Sequence, residues 1–225
     1  MLILGIETSG KMASVALMRD SLLLAQKSVY TSRTHSQIIM PMCTELLEAS
    51  CLSLDDVELL AVSCGPGSYT GLRIGIAAVK ALSFSKGIPC VGISTLEGMA
   101  TQLAAFKGIV APVMTARAEF LYSALFRADG EKLTRLCDDR IIAADLLVSE
   151  LDALEEPILL TGDIASDLCA SHGYLLAPPT LRLQSAAGIC LAAADKTAVT
   201  PDELEAFYMQ ITKAEKDLQD KRNES

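Results

Sequence analysis

Gly65-Pro66-Gly67-Ser68-Tyr69-Thr70-Gly71-Leu72-Arg73-Ile74-Gly75 is the stretch on which the reading of this chain turns. It follows an apolar run at 59–64 and opens a long apolar helical pattern, so it reads as a strand, a glycine turn and a helix start. Such a junction leaves backbone N–H groups free at the head of the helix, a setting that favours anions. No Gly-Lys-Ser/Thr follows, so no lysine is placed to reach a phosphate as in the Walker loop. Two readings stay open. The glycines either permit a tight turn and close helix packing, or Gly65, Gly67 and Ser68 present their backbone to a phosphate or nucleotide.

Working outward, strand-like runs at 2–8, 13–19 and 22–29 precede helical periodicity at 36–50. After the strand at 59–64 come a helix at 69–86, a short strand at 90–93 and a helix at 95–105. The second half repeats the order, with strands at 109–114, 120–126 and 132–140, a helix at 143–151, a strand at 157–160 and helices at 164–172 and 186–194. The pattern predicts a duplicated α/β fold of two lobes, each a mixed β-sheet flanked by helices. The first lobe spans 1–106, the second 107–212, and a densely charged tail follows at 213–225. This layout resembles the actin-like and sugar-kinase-like (ASKHA) ATPases. There, the turn between the first two strands of each lobe faces the nucleotide phosphates, and here those turns are 8–12 and 115–119.

Bulk properties narrow the function. The chain of 225 residues is 51% hydrophobic and 21% charged, which suits a folded chain with a sizeable core. Its net charge of −9 opposes binding to nucleic acid on its own, because phosphate neutralisation dominates such affinity. The seven cysteines form no Cys-x-x-Cys pair and read as free buried thiols of a reducing compartment. No stretch approaches the length of a membrane span, and the expected location is the cytosol.

Among chemical groups, Glu7 ends the first strand, where a carboxylate can hold a hydrated metal near phosphates, and the Thr8 and Ser9 hydroxyls can donate to phosphate oxygens. The alternative is that Thr8 and Ser9 only close a hairpin. The matching turn of the second lobe offers Thr115, with Glu119 four residues late, so one arm of a paired metal clamp is missing. His35 reads as a neighbour of a helix N-terminus and His172 as a helix end before Gly173, with no metal role for either. No Gly-x-Ser-x-Gly elbow and no Cys–His neighbour pair occurs, which removes the covalent-nucleophile readings. The helices at 36–50 and 69–86 carry unusually wide apolar arcs. They predict a partner surface built from Ile38, Ile39, Met42, Leu46, Leu72, Arg73, Ile76, Val79 and Lys80. Pro41 is expected to kink the first of these helices or delay its start.

Taken together, the string 65–75, the opening 3–9, His35-Ser36 with Pro41 beyond, Gly92-Ile93-Ser94-Thr95-Leu96 and the ending Leu204-Glu205-Ala206-Phe207-Tyr208 resemble the TsaB (YeaZ) family. These are bacterial partner subunits in the biosynthesis of threonylcarbamoyladenosine on tRNA. The family is similar to a catalytic paralogue, TsaD, which carries a His-x-x-x-His metal site within a string like His-Leu-Glu-Gly-His. This chain reads Thr95-Leu96-Glu97-Gly98-Met99 there, so both ligand positions are changed. The resemblance implies a subunit without chemistry of its own, paired with a TsaD-like paralogue through helices of the first lobe. With a TsaE-like small ATPase, the pair would transfer threonylcarbamoyl to the adenosine next to the anticodon of tRNAs reading ANN codons. It implies tRNA contact only through the complex, a homodimer when alone, no cofactor, and room for a nucleotide at the partner interface. The chain departs from the family at Glu7, Thr115 and Gln210, where Asp, an Asp-Ala-Arg motif and Arg are usual. Two rival readings are a stand-alone ATPase or small-molecule kinase of the same fold, resting on Glu7, Thr8, Ser9 and the glycine string, and a homodimeric interaction module.

Overall fold

The computed structural model describes residues 1–31 and 34–209, so the expected tail at 213–225 and Gln210 lie outside the described residues. In the first half, β1 (Leu2–Glu7), β2 (Met12–Arg19) and β3 (Leu22–Tyr30) lead to α1 (His35–Ala49), β4 (Leu59–Gly65), α2 (Tyr69–Lys86), β5 (Cys90–Ser94) and α3 (Thr95–Thr101). In the second half come β6 (Lys107–Arg117), β7 (Phe120–Ser123), β8 (Phe126–Asp129), β9 (Leu133–Arg135), β10 (Arg140–Ala143), α4 (Ala144–Asp152), β11 (Ile158–Thr161), α5 (Ala165–His172), β12 (Leu175–Leu176) and α6 (Ala186–Ala193).

The first sheet runs β3-β2-β1-β4-β5 and the second β10-β7-β6-β11-β12. Each has antiparallel pairs on one side of its first strand and parallel pairs on the other. The duplication of pattern is therefore a duplication of topology. Two strands expected to be continuous are divided: 120–126 into β7 and β8, and 132–140 into β9 and β10. At the break, the Leu125 carbonyl takes the Leu136 N–H at 2.8 Å. The chain leaves one pairing partner for another there, which a hydrophobic pattern cannot register. The helix expected at 95–105 ends at Thr101.

The first sheet is covered on both faces. Leu4, Ile6, Leu60 and Val62 meet α1 and α2 on one face, while Ile3, Ala61, Val91 and Ile93 meet α6 on the other. The cut at 106/107 thus separates the two sheets but not the two cores. Leu96, Met99 and Ala100 of α3 pack with β6–β8 of the second lobe, and α6 crosses back onto the first. Residues after α6 return as well. Val199 exchanges backbone hydrogen bonds with Cys90 at 2.7 and 3.2 Å, and the Phe207 N–H donates to the Cys64 carbonyl at 2.7 Å. Between the lobes, Glu97 meets Arg135 at 3.3 Å and Lys196 at 2.7 Å, and Arg135 is held within its own lobe by Asp139 at 2.6 Å.

The wide apolar arcs of α1 and α2 are mostly consumed by this architecture, which corrects the expected partner surface. Ile39, Met42, Leu46, Leu72, Ile76 and Val79 are buried within the first lobe. α2 meets the sheet beneath it, α1 beside it, and Leu204 and Ala206 of the returning segment, so three neighbours need three apolar sectors. Of the nine residues expected at an interface, only Ile38, Arg73 and Lys80 reach solvent. What α1 and α2 show outside is narrower: Met40, Pro41, Ala77, Ala81 and Phe84. Pro41 neither delays nor breaks α1, which begins at His35 and runs through it. Both Pro41 and Gln37, whose carbonyl the missing N–H would have served, lie on the exposed side.

Candidate functional site

The turn after β1 is held from beneath. Glu7 is 1% exposed, and its Oε1 accepts the Ser9 N–H at 2.5 Å and the Ser63 hydroxyl at 3.1 Å. Burial pushes its carboxyl above the usual carboxylate range, against contacts from Ser9 and Ser63 that pull the other way. Thr8 is also buried and donates its hydroxyl to the Gly71 carbonyl of α2 at 2.8 Å. Gly71 and Gly75 are the close-approach residues. A Cβ at Gly71 would run into the Thr8 carbonyl, and one at Gly75 into the Thr8 hydroxyl. Ser68 caps α2 by accepting the Gly71 N–H at 3.2 Å, and its own N–H donates to the Ser9 carbonyl at 2.7 Å. Strand end, turn and helix start are one interlocked unit.

A cleft of about 730 Å³ opens between the lobes above this unit. Ser9, Gly10, Lys11 and Met12 line it from the first turn, Gly67 and Ser68 from the glycine string, and Thr115 and Ala116 from the second lobe's turn. Of the six residues expected to touch a phosphate, Ser9, Gly67 and Ser68 thus share a wall. Glu7 and Thr8 point into the lobe, and Gly65 sits under the Phe207 carbonyl. Glu7 is correspondingly not placed to hold a hydrated metal. Its depth follows from its position as the last residue of a central strand whose neighbours are buried on both sides.

Sequence reasoning missed the second lobe's contribution: Gly162, Asp163, Ser166, Arg182 and Gln184. Asp163 Oδ1 accepts the Thr115 N–H at 2.9 Å, so the carboxylate that Thr115 lacks arrives from the loop after β11. Arg182 donates to the Ala177 carbonyl at 3.2 and 3.3 Å and to Ser166 Oγ at 3.3 Å. The dipeptide Gly162-Asp163 was legible as a turn, whereas Arg182 follows no periodic element and carries no local signal. His35 and His172 fall where expected: His35 begins α1 with Nε2 at 2.9 Å from the Gly10 carbonyl, and His172 ends α5 before Gly173. All seven cysteines are free, although Cys51 is exposed, against the expectation of buried thiols. Burial raises the thiols of Cys43, Cys64 and Cys190 to about 12, which leaves them inert as nucleophiles.

α3 carries the two positions that the resemblance to TsaD singles out. Thr95 and Met99 are 0% and 1% exposed, Met99 packs into the second lobe's core, and Glu97 is engaged by Arg135 and Lys196. Among the described residues no group of His, Cys, Asp and Glu could hold a metal ion. A family model described as "TsaD: tRNA N6-adenosine threonylcarbamoyltransferase" matches residues 29–223. The tRNA threonylcarbamoyladenosine biosynthesis protein TsaB of Bacillus subtilis (strain 168) is 31% identical over 183 residues, covering 78% of this chain and 80% of that protein. A tRNA N6-adenosine threonylcarbamoyltransferase of Geobacter metallireducens is 30% identical over 193 residues, covering 77% of this chain but 55% of the transferase. This chain belongs to the TsaB family. A solved structure from Pseudomonas aeruginosa, described as an uncharacterized protein with similarity to peptidase YeaZ, superposes with a TM-score of 0.81. It is 22% identical, and the match covers 93% of this chain and 99% of that one. The two-lobed α/β arrangement is the actin-like fold, two sheets flanked by helices. No helix of the described residues is long and apolar enough to cross a membrane.

Proposed function

We propose that this TsaB-family chain is a non-catalytic subunit in threonylcarbamoyladenosine biosynthesis on tRNA, working in the cytosol docked to a TsaD-like catalytic paralogue. One observation carries the reading. At the two positions where the paralogue holds its metal, this chain places Thr95 and Met99, both buried in α3. Thr and Met suit a packed helix and are poor ligands for a hard or borderline cation. The transfer chemistry then belongs to the partner, with a TsaE-like ATPase as third member and a nucleotide site, where one exists, at the partner interface. The net charge of −9 supports tRNA contact through the complex rather than through this chain alone. A stand-alone ATPase is less well supported, because Glu7 lies beneath the cleft floor and Thr8 is bonded to Gly71.

The docking surface is the outward strip of α2, centred on Arg73, Ala77, Lys80 and Phe84, with Ile38 and Met40 of α1 beside it. Arg73 lies 4.1 Å over the Tyr69 ring and donates to Tyr208 Oη at 3.0 Å, an arginine–aromatic group typical of interface anchors. Mixing the chain with a TsaD-like paralogue at micromolar concentration is expected to give one co-eluting species. Separate elution overturns the reading. Ala77→Glu is expected to weaken the complex at least about tenfold without lowering stability, since a charge replaces an exposed methyl group. Leu175→Glu, also exposed but on the second lobe, should leave it intact. Sedimentation of the chain alone then reads out whether the same strip pairs two copies.

A further inference from the structure

α3 leads from the first sheet into β6 of the second, and α6 brings the chain back, so any motion between the lobes passes through these two helices. They cross with almost no side chain between them, since a Cβ at Gly188 would run into the Gly98 carbonyl. A run of polar contacts surrounds the crossing. Ser94 ends β5 and caps α3 by accepting the Glu97 N–H at 3.1 Å. Its hydroxyl donates to Asp139 Oδ2 of the second lobe at 2.5 Å. Asp139 Oδ1 takes Arg135 at 2.6 Å, so both oxygens of a side chain only 9% exposed are used. Arg135 reaches on to Glu97 of α3 at 3.3 Å and lies 4.6 Å over the Phe126 ring. Glu97 also takes Lys196, beyond α6, at 2.7 Å. None of these residues lines the cleft.

We infer that these contacts form a latch that fixes the angle between the lobes, so that the chain moves as one rigid block where two-lobed proteins ordinarily hinge. Isolated exposed ion pairs contribute little, but this set is partly buried and shared. Arg135, Asp139 and Glu97 each serve two partners, so one ordered side chain supports two bonds. Two contacts cross between the lobes, Ser94 to Asp139 and Glu97 to Arg135, and both meet the second lobe within the short stretch 135–139. A shift of about 1 Å there takes the shorter bond to the edge of hydrogen-bond range and breaks the longer one. It also strips a buried carboxylate of a partner, which is costly. The latch goes beyond the docking role proposed above and does not depend on it, since no latch residue belongs to the docking strip of α1 and α2.

Hydrogen exchange of the full chain, with X-ray scattering as a second readout, tests the inference. In the wild type, the hydrogen-bonded amides of α3 should exchange as slowly as those of β1 and β11. Arg135→Met keeps an apolar stem over Phe126 and removes both ion pairs, while Glu97→Gln keeps the volume and removes the charge. Each should speed exchange in α3 at least about tenfold relative to β1 and β11, and Arg135→Met should also raise the radius of gyration. Arg127→Met, which breaks the exposed pair with Glu156 inside the second lobe, should do neither. Glu97 sits on the latch rim, so its variant decides the matter even where Arg135→Met does not fold. Three results would overturn the inference: α3 exchanging far faster than β1 in the wild type, no change in Glu97→Gln, or equal acceleration in α3, β1 and β11. The last would mean lost global stability without release of the lobes.

Discussion

In the first lobe the turn after the opening strand is sealed against a helix, whereas in the second lobe the equivalent turn stays open to solvent. Glu7 and Thr8 are buried and hydrogen-bonded to Ser9, Ser63 and Gly71. Thr115, at the corresponding place, is exposed on the β6–β7 hairpin, paired with Leu121, and its backbone N–H donates to Asp163, itself exposed. The topology is the same and the solvation opposite. Both sheets carry helices on both faces, α1 and α2 against α6 on the first and α3 against α4 and α5 on the second, so the difference lies at the turn itself: Thr8 is bonded to Gly71 of α2, while Thr115 stays exposed. Duplication thus set two turns facing one cleft, while the close approach of α2 buried one of them and the other stayed exposed.

Three measurements press on that contrast, the strongest first. Gly71→Val sets a branched side chain against the Thr8 carbonyl, a backbone atom that cannot move without displacing the whole interlocked unit. A loss of more than about 3 kcal/mol in urea denaturation, or no folded protein, is expected. A fully stable variant would show that turn and helix are not locked.

Glu7→Gln is the intermediate case, and its signature is in the pH dependence. The folded-state pKa of Glu7 is raised, so the native state holds the proton more tightly than the unfolded chain does. Its contribution to stability is therefore fully present below the ordinary value of 4.5 and is lost as pH rises through the elevated folded value. The difference between wild type and Glu7→Gln should change in favour of the variant as pH is raised across that window. A difference constant with pH would mean that Glu7 ionises freely.

The smallest effect belongs to the open turn. Asp163→Asn keeps an acceptor for the Thr115 N–H and removes an exposed charge, so less than about 1 kcal/mol should be lost in the same assay. A loss matching that of Gly71→Val would erase the contrast between the lobes.

Much of this was legible beforehand in particular places. The helix expected at 69–86 is α2 residue for residue, because Ser68 supplies an N-cap and Gly87 a left-handed stop. β1 to β5 were readable because apolar runs there are bounded by turns such as Asp20-Ser21, both at positive φ. The partner surface was not readable in the same way. An apolar arc on a helix records how much of it is buried, not by what, and Ile39, Leu72 and Val79 are covered by their own lobe. The cleft was half visible: Ser9, Gly67 and Ser68 lie in motifs, while Arg182 and Asp163 come from loops brought across by folding.

By itself the sequence determined the order of strands and helices in the first half, the duplicated pattern and the identities of Thr95 and Met99, since these rest on local periodicity, turn chemistry and side-chain identity. Only the tertiary structure decided which polar groups face the cleft and which are spent inside. It also decided that α3 and α6 exchange lobes and that little of α1 and α2 remains outside. Those outcomes depend on contacts between residues far apart in the chain, set by burial and hydrogen bonding that no local pattern encodes.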